Sequence, residues 1–169
     1  SVRGLPLRLE GDAQVIAGRL KLSKAGAFAA ADALPLALKA KTLEAWVAVP
    51  NRTQRGGGLI SLELPDGTMF DAITFGEREP GKWAAGSDSF RRTRDLKAPI
   101  ENSSPEALVH IAAVYAADGR IQVYRNGIPY GEGYATDGPL KHTTGNARLL
   151  LGMRHTGGGN PFFTGELEE

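Results

Sequence analysis

The residues able to do chemistry gather at a few places in this 169-residue chain. The closing run Gly165-Glu166-Leu167-Glu168-Glu169 carries three carboxylates. On an extended strand Glu166 and Glu168 share a face, with Cβ atoms roughly 6.5 to 7 Å apart. Retaining glycoside hydrolysis uses two carboxyls about 5 to 5.5 Å apart on one side of a cleft, so the spacing admits that chemistry. Nucleophilic and metal chemistry have less support. Gly86-Ser87-Asp88-Ser89 is not a Gly-x-Ser-x-Gly elbow, and no strand–turn–helix pattern surrounds it. His110, His142 and His155 lack ligand spacing, and His110 sits in an apolar run where a hydrogen-bonded core residue is the simpler reading. The glycine clusters at 56–58 and 157–159 lack the strand and helix that a phosphate loop requires.

A ligand surface is the stronger prospect. Sugar-binding sites pair an aromatic platform with a few polar groups. Trp83, Tyr130 and Tyr134 are candidate rings, while Asp88, Arg92, Arg94, Arg154 and His155 are candidate hydrogen-bonding or charged partners. Arginine in particular suits carboxylate or sulfate. Each has a plainer structural reading: Trp83 as a core residue, and Arg91-Arg92-Thr93-Arg94 as a solvated strand face near Asp95. Asn51-Arg52-Thr53 and Asn102-Ser103-Ser104 are formal glycosylation sequons, relevant only in a eukaryotic secretory host.

The elements that must position these residues centre on Leu108 to Gly127. Leu108 to Ala116 is apolar at nearly every position and predicts a strand buried on both faces. Asp118-Gly119 supplies a tight turn, Ile121 to Arg125 a return strand, and Asn126-Gly127 a second turn into Ile128-Pro129-Tyr130. Upstream, Ala13 to Ala17 and Arg19 to Leu22 predict short strands, and Ala25 to Ala33 is read as an edge strand rather than a short helix. Lys41 to Val49 alternates with period two. Arg55 to Gly58 reads as a flexible loop, followed by a hairpin of Leu59–Leu64 and Thr68–Phe75 around Pro65-Asp66-Gly67. Lys82–Ala85 and Ser89–Arg94 are expected as two strands bent at Gly86-Ser87-Asp88. Leu96 to Ala107 is a polar connection in which Ser104-Pro105-Glu106 could open one helical turn. Ala147–Met153 and Phe162–Glu168 complete about a dozen strands, with Thr156 to Asn160 as a mobile loop. Regular strands with turn signals predict an all-β sandwich of two antiparallel sheets.

Composition narrows the function. One domain with a sizeable core suits this length, and 41% hydrophobic residues is ordinary for a globular chain. A net charge of +1 argues against a nucleic-acid binder working by phosphate neutralisation. No long uncharged apolar run predicts membrane insertion. Without cysteine, this chain holds no disulfide, no Cys-ligated zinc and no Cys-x-x-Cys-His haem attachment. No signal peptide is visible at the start. A start without methionine and an abrupt end at Glu169 suggest an excised or truncated module of a longer protein.

The motifs resemble a family. Val109-His-Ile-Ala-Ala-Val-Tyr115, Asp118-Gly119 and Ile121-Gln-Val-Tyr-Arg-Asn-Gly127 look like the central hairpin of concanavalin A-like, laminin G-like domains. Thr42-Leu-Glu-Ala-Trp-Val47 is similar to the family's early tryptophan strand, and Phe163 to Glu169 to its late strand. The resemblance implies a jelly-roll sandwich. That late strand usually runs several residues further, so truncation within the final strand is expected. Phe75 to Trp83, Gly86 to Thr93 and Leu151-Gly-Met-Arg-His155 further resemble laminin G-like modules of large secreted bacterial proteins that also carry cytochrome-c-type modules.

The resemblance also bears on chemistry. Glu166, Glu168 and Glu169 look superficially like the catalytic strand of laminarinase-type relatives, but the third carboxylate is not at its usual offset and the laminin G pattern fits better. Relatives of this fold often bind calcium, which makes Ca²⁺ the one ion to consider. Asp12, Asp66, Asp88, Asp118 and Asp137 lie near predicted turns, which account for each of them equally well. The expectation is therefore a non-catalytic extracellular or periplasmic module that binds carbohydrate. The alternatives are a module packing against other domains of its parent, and a vestigial hydrolase.

Overall fold

The computed structural model describes residues 5–168, so Glu169 lies outside the described residues. In chain order the strands are β1 (Leu7–Glu10), β2 (Ala13–Ile16), β3 (Arg19–Leu22), β4 (Phe28–Ala33), β5 (Lys41–Ala48), β6 (Gly57–Glu63) and β7 (Phe70–Phe75). They continue with β8 (Trp83–Ser87), β9 (Val109–Tyr115), β10 (Arg120–Arg125), β11 (Ile128–Pro129), β12 (Tyr134–Ala135), β13 (Arg148–Leu151) and β14 (Gly165–Glu168). One sheet runs β1-β4-β13-β6-β7-β8, and the other β11-β10-β9-β5-β14-β3-β2 with β12 on the side of β10. The pairs are antiparallel. The architecture is the predicted two-sheet jelly-roll sandwich.

Alternation explains the core. In β5, Leu43 and Val47 face inward while Thr42, Glu44 and Trp46 face out. β9 pairs with β5 along its whole length and adds Ile111, Ala113 and Tyr115. Leu59, Ile73, Phe75, Trp83 and Phe163 meet them from the opposite layer. The alanine-rich stretch is a strand because Ala29 enters this core and Ala31 is buried on the same face, while Ala30 joins a second apolar cluster on the outer side. Propensity alone favoured helix; burial on both faces overrides it.

Several sequence expectations need correction. Gly57 and Gly58 are not loop but the start of β6. Gly86 and Ser87 continue β8 instead of bending it, and Ser89–Arg94 is not a strand: Asp88–Phe90 form a 3-10 turn. The segment around Ser104 makes a simple turn, with Ala107 N–H donating to the Ser104 carbonyl at 3.1 Å. His110 lies on the outer face, its Nε2 3.2 Å from Glu44 and its ring 5.2 Å from that of Trp46. Lys41 opens β5, but not as an exposed strand end. Instead its ammonium is buried between the sheets, 2.6 Å from Asp71 of β7.

Candidate ligand-binding groove

After β13 the chain does not leave the sandwich. It doubles back as a strap, 152–162, across the outer face of the six-stranded sheet. Gly152 N–H donates to the Leu59 carbonyl (2.9 Å), and Arg154 N–H and Gly58 N–H both donate to the Pro161 carbonyl (2.7 and 3.2 Å). The approach is so close that a Cβ on Gly58 would fall 2.3 Å from the Arg154 Cα. Glycine is required there because backbone lies directly on backbone.

The strap carries Arg154 and His155 to one wall of a groove. Arg154 donates to Glu77 (2.7 Å) and to the Gly159 carbonyl (2.8 Å), while Thr74 caps the other Glu77 oxygen at 2.8 Å. The His155 ring stacks on Phe70, centroids 4.4 Å apart and planes within 11°. Its Nδ1 lies 2.9 Å from the Thr156 carbonyl, which can only accept, so the proton sits on Nδ1.

The Asp88–Phe90 turn forms the other wall. Ser89 and Phe90 both have left-handed backbones, with φ of 48° and 55°. Such residues cost roughly 1–2 kcal/mol each when they carry a Cβ. Arg92 holds the turn from behind, donating to Asp88 (2.7 Å), Asp71 (2.8 Å) and the Phe70 carbonyl (2.9 Å). Its backbone N–H also donates to Ser87 Oγ at 2.9 Å. Strain and anchorage together present the Phe90 ring to solvent, 45% exposed. The Arg78 guanidinium sits 5.5 Å over that ring.

Between the walls lies a groove of about 390 Å³, which continues past Phe90 and Arg154 into a recess of about 370 Å³ beside Arg55 and Asn160. On the far side of the strap, His155 also borders a hollow of about 520 Å³ floored by Phe28, Leu150, Met153 and Phe162. The acids that line the groove, Glu77 and Asp88, are buried and already matched to Arg154 and Arg92. Arg55, Arg78 and Arg91 are exposed, with Arg55 Nε donating to the Gly76 carbonyl at 2.9 Å and Arg91 Nε 3.7 Å from Asp88.

Residues 22–169 match the Laminin_G_3 family of the concanavalin A-like lectin/glucanases superfamily. The chain belongs to this family. Among solved structures it is similar to a heptameric SAP-like pentraxin from Limulus polyphemus, at 21% identity and a TM-score of 0.61, covering 82% of this chain and 64% of that one. Domains LG4-5 of the mouse laminin alpha1 chain align at 10% identity and a TM-score of 0.55, covering 94% and 42%. The receptor binding domain of botulinum neurotoxin D aligns at 10% identity and 0.60, covering 96% and 42%. The chain thus spans less than two thirds of each of these structures, and at these identities they establish the fold alone. No protein among the curated sequences matches it.

Within this concanavalin A-like sandwich, the eight candidate residues divide. Asp88, Arg154 and His155 converge on the groove, with Arg92 behind Asp88. Trp83 is 1% exposed and packs 4.6 Å from the Phe75 ring, so it offers no face to a ligand. Its indole N–H donates to Glu101 at 2.9 Å. Tyr130 is buried, with its hydroxyl on the Pro99 carbonyl, and the half-buried Tyr134 donates to the Arg92 carbonyl at 2.9 Å. Burial pushes both phenols up to about 12, so they remain structural donors. Arg94 donates to the carbonyls of its own turn and borders a crevice of about 20 Å³, room for one water.

Glu166 and Glu168 are on the opposite side of the molecule. Glu166 lies 3.1 Å from Lys21 and 3.3 Å from Arg19, and Glu168 lies 2.8 Å from Arg19. The hydrogen bond from Lys21 leads the effects that hold the Glu166 pKa below its ordinary value, whereas a general acid needs it raised. Four of the five calcium candidates have protein partners. Asp66 and Asp118 accept from turn N–H groups, Asp88 faces Arg92 and Asp12 pairs with Lys24. Among the described residues no three His, Asp or Glu side chains converge. Sequence reading missed Phe90, although the Gly-Ser-Asp-Ser run before it is a turn signal. It also missed Glu77, Arg55 and Arg78, for which no local pattern exists.

Proposed function

We propose that this domain is a non-catalytic binding module that takes an acidic polysaccharide in the groove between the strap and the Asp88–Phe90 turn. The observation that carries the reading is Phe90, an exposed ring fixed on two strained residues and ringed by arginines. Strain of this kind persists where the surrounding structure over-determines it, and it clusters at ligand clamps. Phe90 offers a stacking face for a sugar ring. Arg55, Arg78 and Arg91 offer donors suited to uronate or sulfate. The groove's own acids are already neutralised, so it presents net cationic character. A binding role is in keeping with the neurotoxin domain of similar fold, described as receptor-binding.

The reading extends to an exported bacterial parent, extracellular or periplasmic, with this module beside cytochrome-c-type modules. Its support is the likeness of Phe75–Trp83, Gly86–Thr93 and Leu151–His155 set out above. No helix among the described residues is long and apolar enough to cross a membrane.

Affinity electrophoresis through alginate, polygalacturonate or neutral dextran tests the binding. Retardation by the acidic polymers, lost in Phe90→Ala, is the expected result. Equal mobility in every gel overturns the proposal.

A further inference from the structure

The four sheet edges are not equally protected. β11 is two residues long and contains Pro129, which cannot donate to a ladder. β1 carries Arg8 and Glu10, and Arg8 pairs with Asp32. Every residue of β8 is buried, with the side chain of Ser87 accepting from Arg92 N–H. β2, the terminal strand of the larger sheet, is Ala13-Gln14-Val15-Ile16. It has no charge, no proline and no bulge, and Val15 and Ile16 are 63% and 45% exposed. Natural sheet edges ordinarily carry such a safeguard against pairing with another chain.

The β2–β3 turn fixes which backbone groups are on offer. Ala17 and Gly18, φ 52° and 81°, form a two-residue loop between the paired residues Ile16 and Arg19. In such a hairpin Ile16 and Gln14 bond to β3, and the N–H and C=O groups of Ala13 and Val15 turn outward. A two-fold axis at Gln14 sets Ala13 of one strand opposite Val15 of another in both directions. That register satisfies all four outward groups of each strand and opposes no like charges. Beside it, Leu7 and Leu9 of β1 share the sheet face of the core alanines Ala31 and Ala29 yet stay 42% and 44% exposed.

We propose that two copies of this chain join antiparallel through β2 about Gln14, merging their eight-stranded sheets into one. The interface is isologous, as closed dimers require. It is independent of the sugar-binding reading, and would give one dimer two grooves for a polymer.

Sedimentation velocity and light scattering of the full chain at roughly 100 µM, a range suited to a small interface, test the proposal. The expected mass is twice the 17.9 kDa of the chain. Val15→Pro deletes an outward donor without touching the β2–β3 ladder, and Val15→Lys adds a charge beside its symmetry mate. Both are expected to return the mass to one chain with unchanged far-UV circular dichroism. Hydrogen exchange at Ala13 and Val15 is expected to slow with rising protein concentration, a readout that needs no variant. A wild-type chain monomeric at that concentration, or a dimer indifferent to both variants with Ala13 and Val15 exchange independent of concentration, overturns it.

Discussion

Lys41 of β5 and Asp71 of β7 meet across the interior of the sandwich, 2.6 Å apart, with neither side chain more than 3% exposed. Asp71 also accepts from Arg92 at 2.8 Å, and Lys41 donates to the Leu140 carbonyl at 3.0 Å. One carboxylate thus ties the two sheets together and anchors the turn that presents Phe90. Removing one partner of a buried ion pair costs about 3 to 5 kcal/mol, because the other charge is left uncompensated. Asp71→Asn leaves the buried Lys41 ammonium without a carboxylate, while Arg92 keeps Asp88, and is expected to lower the unfolding free energy measured in urea by that amount. It should also weaken polysaccharide binding through the loosened turn.

Phe90→Ala is expected to weaken binding of an acidic polysaccharide roughly tenfold, in line with about 1.5 kcal/mol for an aromatic contact. Trp46→Ala serves as the contrast: its ring is 43% exposed, but on the other sheet beside His110, and its loss should leave that affinity unchanged. Isothermal titration of both variants at two salt concentrations checks the assignment. The affinity of the intact protein should fall with salt.

Ser89→Gly replaces a strained left-handed residue by one that adopts that backbone freely. Thermal unfolding is expected to show a gain of up to about 1 kcal/mol. In Gly58→Ala a methyl would meet the Arg154 backbone. A loss of about 3 kcal/mol is expected as the strap is pushed off the sheet, together with loss of binding.

Acid should act through Glu101. Burial pushes its carboxyl up, but hydrogen bonds from Arg125, Trp83 and the Ser103 N–H outweigh that and hold it at about 2. A carboxyl lowered in the folded state contributes stability above its unfolded value of 4.5, and that stability is lost as pH falls toward 2. The contribution is about 3 kcal/mol. Urea titrations between pH 5 and pH 2 should show that slope, and Glu101→Gln should flatten it, lowering stability at neutral pH.

His142 gives a second, milder pH dependence. It is 2% exposed, and among the described residues neither ring nitrogen has a hydrogen-bond partner. Burial, then the nearby Lys41 charge, lower its pKa below 6.5. The unfolded chain therefore takes up the proton first as pH falls through 6.5, and stability declines from there. His142→Leu should remove this step without loss of stability at pH 8, as followed by thermal unfolding at each pH.

The strand pattern of this protein was written in its sequence. Alternation in Lys41–Ala48, the apolar run of β9 and the Asp118-Gly119 turn each act over neighbouring residues, so a local reading recovers them. The same locality explains the failures. Alternation says that Trp83 and Phe75 lie on one face of adjacent strands, but not that a second sheet covers that face. It marks Lys41 as in register with Leu43, yet only the opposite layer supplies the Asp71 that lets an ammonium be buried there. Tertiary packing alone set the strap on Gly58, tied Arg92 to Asp71 of β7 and turned Phe90 outward. Those contacts join residues far apart in the chain, and their free energy depends on what is excluded from water when the sheets close.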